Sequence, residues 1–326
     1  MPAHSKDFII LKDYTANAET CFVPSFPLSQ VSEKDKAWDV HRASADTVKD
    51  SYKQVGYERY AERMAECSRL LEFRSQRDIS TGELTLKLRN ARFCRVRHCP
   101  VCQWRRSMMW RARFFQILPK LLEDYPKARF VFLTLTVRNC PLESLREAIG
   151  KMNKAWGRLV GRKAFSAIGW VKSLEVTRGK DGTAHPHFHV ILMVRPSYFT
   201  HGYVSQKRWT ELWQSCLRVD YMPVVNVKAV KSKKGLEDGI FSALCETLKY
   251  SVKEEDLKVS PKWLKELTNQ LHKTRSIALG GVFKQYLSEE EPEDLIHTDI
   301  DESESSDEDM TFYFGWRERY AKYMSQ

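Results

Sequence analysis

A chain of 326 residues can bury a full core and form one or two domains, and it holds no run of about 18 apolar residues, which excludes a transmembrane helix. The net charge of +11 conceals an asymmetry: residues 289–309 carry twelve Asp or Glu and no Lys or Arg, and setting those twelve negative charges aside leaves +23 on the remainder. Such an excess favours a polyanionic partner, because neutralising phosphates releases counterions.

The N-terminus has only a four-residue apolar run, too short for a signal-peptide core. A cytoplasmic protein is expected, and disulfides are rare there, so the eight cysteines are free thiols or metal ligands. Residues 1–60 read as a polar N-terminal extension with helix from about Lys36. Residues 61–125 form a cysteine-bearing segment. "FCRVRHCPVCQWRR" contains Cys94, Cys99 and Cys102, with Cys67 upstream. Cys99-Pro100-Val101-Cys102 is a C-x2-C knuckle, the tight turn that presents two thiolates to Zn²⁺. A closed structural site takes four ligands. Cys67 and Cys94, on either side of a hairpin made of "LLEFR" and "LTLKLR", complete the set, with His98 as the substitute. The helix "WRRSMMWRARFFQILPKLLEDY" follows, with Pro119 set to kink or end it. Its Trp104 and Trp110 are expected to face inward, and Arg105, Arg106 and Arg111 outward to DNA.

Residues 126–287 show a regular order. "ARFVFLTLTV" is a strand, "LESLREAIGKMNKAWGRLVG" an amphipathic helix, "AIGWVKSLEVT" a strand, "RGKDGT" a turn and "HPHFHVILMV" a strand. "SQKRWTELWQSCLRV" is a helix and "PVVNVKAV" the last strand. This is an α+β, ferredoxin-like βαββαβ pattern: an antiparallel sheet with helices on one face and the other face available for a site. Two further helices are expected, "GIFSALCETLKYSVK" and "SPKWLKELTNQLHKTR", the second starting at Ser260-Pro261. Residues 288–310 are an acidic tail of disordered composition, and the aromatic residues 311–326 are suited to docking back on the fold.

In "HPHFHVILM", His185, His187 and His189 alternate, so in a strand they project from one face. The turn pairs residues whose numbers sum to 361 or 362, and in the second register Glu175 lies opposite His187 on the histidine face. Two imidazoles and a carboxylate suit Mn²⁺, Mg²⁺ or a similar divalent ion. His185 competes with Glu175 as third ligand. In "CETLKYSVK", Glu246, Tyr250 and Lys253 stand at i, i+4 and i+7, one face of a helix. A tyrosine phenolate attacks a phosphodiester when a metal polarises the phosphate; Lys253 would stabilise the charge, and Glu246 would act as base for water in a second step.

His187-Phe188-His189 with a downstream tyrosine resembles the HUH endonucleases. The set "FLTLT", "HPHFHVIL" and E-x3-Y-x2-K is similar to the single-tyrosine replication initiators of small rolling-circle plasmids, over about Cys67 to Lys284. The resemblance implies a divalent metal and a tyrosine that nicks one strand at the plasmid origin. The enzyme would remain on the 5′ phosphate and leave a 3′ hydroxyl for a host polymerase, with a host helicase as partner. It implies that a glutamate at the position of Glu246 activates water for termination. It also supports Cys67, since the family often carries a cysteine before an L-x-F segment. Two other readings stand beside it: a conjugative relaxase, and a zinc-dependent DNA-binding regulator without catalysis.

Overall fold

The computed structural model describes residues 25–77, 84–231, 236–288, 295–296 and 310–326. Most of the acidic tail and of the basic loop after "KAV" lies outside them. In chain order the main elements are α1 (Lys36–Gln54), α2 (Glu58–Ala65), β1 (Leu70–Arg77), β2 (Leu84–Ala91), α3 (Pro100–Asp124), β3 (Arg129–Thr136), α4 (Leu145–Val160), β4 (Ala167–Arg178), β5 (Ala184–Val194), α5 (Gln206–Leu217), β6 (Val225–Ala229), α6 (Leu236–Thr247), α7 (Glu254–Lys258), α8 (Pro261–Leu271), β7 (Ile277–Gly281), β8 (Thr311–Arg317) and β9 (Lys322–Ser325). Pro119 lies inside α3 and does not end it. Among the described residues no helix is long and apolar enough to cross a membrane.

The chain forms two compact units, residues 1–105 with 294–326 and residues 106–293. The first joins three stretches that were expected as separate segments: the N-terminal extension, the cysteine segment and the C-terminal aromatic segment. Its antiparallel sheet has the order β2-β1-β8-β9, so the last residues of the chain supply half of its strands. Aromatic packing draws them in. Tyr323 is fully buried, donates to Ser68 O at 2.7 Å and meets Trp38 edge-on at 6.2 Å. Trp316 Nε1 donates to Asp46 Oδ2 at 2.8 Å. Arg105, expected to face outward, is buried. Its Nε and Nη2 donate to Leu295 O at 3.2 and 2.9 Å, and its guanidinium lies 5.4 Å from the Trp38 ring centroid. Trp104 is half-buried.

The second unit carries the βαββαβ order in a five-stranded sheet, β6-β3-β5-β4-β7, with every pair antiparallel. β3 and β4 run parallel, joined through α4, and β5 inserts between them, so that its residues 187–194 pair with β3 on one side and its residues 184–194 with β4 on the other. α4 buries Ile149, Met152, Ala155, Trp156 and Leu159 at three- and four-residue spacing. On α5, Trp213 meets Phe188 of β5 at 6.4 Å, so α4 and α5 cover the Phe188 face of the sheet. The edge strand β7, paired to β4, was not anticipated.

The histidine face is not bare. The α6 segment packs against β4 and β5, and the helix stops at Thr247 for a tertiary reason. Ser251 O accepts the Val176 N–H at 2.9 Å, and Val252 forms a parallel bridge with Val176. This extended backbone is incompatible with helix. Ser107 Oγ then takes the Leu248 carbonyl left over at the helix end, at 2.6 Å.

Candidate metal centres and nucleophile

The β4–β5 turn sets the register of the first centre. Asp181 Oδ1 accepts from Thr183 N and Oγ1 at 3.1 and 2.6 Å, and Gly182 adopts φ +85°, a left-handed conformation natural for glycine. The pairs Arg178–Ala184 and Glu175–His187 follow, the second of the two registers expected. Glu175, His187 and His189 are all buried, and their ligand atoms lie within 4.8 Å of one another. Both imidazoles turn Nε2 to one carboxylate oxygen, Glu175 Oε2, at 3.0 Å (His187) and 2.7 Å (His189). Their Nδ1 atoms are engaged elsewhere: His187 Nδ1 with His185 O at 3.3 Å and His189 Nδ1 with Thr134 Oγ1 at 3.4 Å. An outer hydrogen bond at Nδ1 orients the ring and leaves Nε2 as the ligand atom, which is how metal-binding histidines are usually held. The donor set of two imidazoles and a carboxylate fits a divalent ion with open positions. His185 stands outside the cluster, with Nδ1 2.8 Å from Asn139 Oδ1.

A fourth residue enters that no expectation included. Lys249 Nζ lies 3.0 Å from Glu175 Oε2 and 2.6 Å from Glu246 Oε1. Burial works against the Lys249 charge, but Glu246 and Glu175 outweigh it and raise its pKa. Burial would likewise raise Glu175, yet the hydrogen bonds from His187 and His189, aided by Lys249, hold its carboxyl well below the ordinary range.

Glu246, Tyr250 and Lys253 do not share one helical face, because α6 ends before Tyr250. Glu246 lies in the last turn of α6, Tyr250 in the extended link, and the exposed Lys253 at the N-cap of α7. The link still keeps Tyr250 close to the sheet, between Lys249, which reaches Glu175, and Ser251, whose carbonyl holds Val176. Burial, reinforced by the charge of Glu254 and opposed by Arg111, pushes the Tyr250 phenol up to about 12.

In the first unit Cys67, Cys94, Cys99 and Cys102 are buried and converge, as their spacing suggested; His98 is not one of the four. The sulfurs of Cys67 and Cys102, of Cys94 and Cys102, and of Cys99 and Cys67 lie 3.6, 3.6 and 3.7 Å apart. Four thiolates about 2.3 Å from a tetrahedral zinc ion would stand about 3.8 Å apart, so the cluster fits that ion. Backbone N–H groups point at the sulfurs, Cys94 N to Cys67 Sγ at 3.4 Å and Arg95 N to Cys102 Sγ at 3.3 Å. Positive φ at Ser68 and Arg95 turns the chain to present them.

The profile of the protein family described as "Replication protein" matches residues 85–324. The chain belongs to this family. It is 37% identical to "Protein rep" of Streptococcus pneumoniae serotype 2 (strain D39 / NCTC 7466), over 84% of this chain and 87% of that one. A "Protein rep" of Bacillus amyloliquefaciens is 32% identical over 95% of this chain and 94% of its own. A "Replication protein" of Staphylococcus aureus is 35% identical over 59% of this chain and 88% of its own. No solved structure matches. The family match takes in both ends of the β4–β5 hairpin, the Tyr250 link and three of the four clustered cysteines; Cys67 precedes it.

Proposed function

We propose that the protein initiates plasmid rolling-circle replication by nicking one DNA strand at the origin. The observation that carries this reading is the convergence of His187, His189 and Lys249 on one oxygen of Glu175, with Tyr250 next in the chain to Lys249. Glu175, His187 and His189 would hold Mn²⁺ or Mg²⁺, and Cys67, Cys94, Cys99 and Cys102 a structural Zn²⁺. The divalent ion would supply Lewis-acid polarisation of the scissile phosphate. The Tyr250 oxygen bonds to phosphorus as its proton leaves to solvent. The phosphorus–O3′ bond breaks, and the 3′ oxygen takes up a proton, leaving a 5′-phosphotyrosine and a 3′-hydroxyl primer. Lys249, held as a cation, faces the charge that gathers on the phosphate. Lys253 offers a second cation from the N-cap of α7. Glu246 is the proposed base for the water that releases the strand at termination. Origin DNA in single- and double-stranded form, a host helicase and a host polymerase are the proposed partners, in the cytoplasm.

The test is incubation of the protein and Mn²⁺ with single-stranded origin DNA, followed by mapping of the adduct. A 5′-linked peptide containing Tyr250 is expected, and none from Tyr250→Phe. Undiminished nicking by Tyr250→Phe would overturn the assignment.

A further inference from the structure

We propose that a cationic cavity on the Phe188 side of the sheet, remote in the fold from the Glu175 face, is a second site that binds the phosphate group of a nucleotide or of a DNA strand. It does not depend on the nicking reading. The cavity encloses about 410 Å³ between α4, the loop after α8 and the strands β4 and β7. Arg146, Lys172, Lys273 and Arg275 line it, and among the described residues no Asp or Glu does.

Lys172 is the buried cation of this cavity. Its position on β4 alternates with Glu175, so its side chain projects to the opposite face. It is 7% exposed. Nζ donates to Asn153 Oδ1 at 2.6 Å and lies 3.9 Å from the Phe188 ring centroid and 5.7 Å from that of Trp156. No carboxylate pairs with it among the described residues. A cation taken out of water without a counter-charge is strongly disfavoured, and an apolar side chain of equal length would fill the same space. Burial accordingly pushes the Lys172 pKa down to about 8. Lys172 thus brings to the cavity a charge that no carboxylate among the described residues balances, beside three further cations.

Those three come from independent elements. Arg146, in the first turn of α4, is oriented by the carbonyls of Asn269 and His272, each 2.8 Å from its Nη2. Lys273 and Arg275 are exposed on the loop after α8. A phosphate carries one or two negative charges and several acceptor oxygens, which matches a buried ammonium below and guanidinium groups at the rim. The volume lies near the lower end of the roughly 300–1,000 Å³ typical of small-ligand sites, room for one nucleotide and not for a duplex.

The test is thermal denaturation of the full chain with inorganic phosphate, a deoxynucleoside monophosphate or a short single-stranded oligonucleotide, each against sodium chloride of equal ionic strength. Wild type should show a saturable rise in Tm with phosphate and with the nucleotide. Lys172→Met should weaken the apparent Kd by about tenfold or more, the loss expected for one charged contact. The exposed double change Lys273→Asn/Arg275→Gln, in which Asn tolerates the positive φ of position 273, should do the same, and it decides the matter if Lys172→Met fails to fold. If DNA is the source of the phosphate, the variants also bind the oligonucleotide more weakly and free nucleotide competes with it; if the nucleotide is, oligonucleotide binding is unchanged. The absence of any saturable shift in wild type beyond the chloride control, or wild-type affinity for phosphate in folded variants, would overturn the proposal.

Discussion

Replacing Lys172 by Met removes a buried charge while keeping the length of the side chain. Burial lowers the lysine from its usual 10.5 to about 8. Holding the charged form in the folded protein therefore costs about 3 kcal/mol at any pH below 8. The sign follows from counting protons. Between pH 8 and 10.5 the unfolded chain keeps the proton and the folded chain has released it, so wild-type stability rises with pH across that window. The variant lacks the group, and the remaining titrating residues are common to both proteins and cancel in the difference. The variant also loses the cation over Phe188 and the Asn153 hydrogen bond, together about 1–3 kcal/mol, so the absolute difference at pH 7 is small. Its pH dependence is the diagnostic quantity. Urea unfolding of both proteins at pH 7, 8, 9 and 10 should show wild type gaining about 2–3 kcal/mol on the variant between the first and the last. Stability curves that stay parallel would mean that Lys172 is solvated or ion-paired, and the cavity would lose its unbalanced charge.

Purified protein should hold about one tightly bound Zn²⁺, released by chelators only with loss of folding; zinc retained by Cys99→Ser/Cys102→Ser would exclude the four-cysteine site. His187→Ala or His189→Ala should abolish nicking and leave duplex-origin binding largely intact, and unchanged nicking by His187→Ala would remove the imidazoles from the mechanism. Glu254→Gln removes a charge that raises the Tyr250 pKa, so the rise of nicking rate with pH should move to lower pH; an unmoved profile would show that Glu254 has no influence on the nucleophile. Glu246→Ala should keep initial nicking and accumulate displaced strands longer than one plasmid unit. Glu246→Gln separates a base from a support for Lys249: termination restored by the amide would mean that the carboxylate only holds the lysine.

What was legible in the sequence shares one physical trait: it depends on neighbours close in the chain. The alternation of His187 and His189 places both on one face by strand geometry alone, and the short turn of residues 179–183, with a side-chain acceptor at Asp181, fixes which carboxylate they meet. The cysteines were legible for the same reason, since a C-x2-C turn and one hairpin bring all four together. The return of β8 and β9 to β1 crosses more than 200 residues, and its partners could not be read from periodicity.

The end of α6 shows most clearly where local reading stops. "CETLKYSVK" contains no Gly or Pro, and its spacing is that of a continuing helix. The helix ends because Ser251 and Val252 are claimed by the backbone of Val176 and because Ser107 receives the freed Leu248 carbonyl. Both partners lie more than 70 residues away in sequence. Beyond the end of α6, Lys249 reaches Glu175, and Tyr250 follows it in the chain just before Ser251, whose carbonyl holds Val176. The segment that the sheet pulls out of helix is thus the one from which Lys249 reaches Glu175. The residue that sequence spacing passed over, Lys249, is the one whose ammonium touches it.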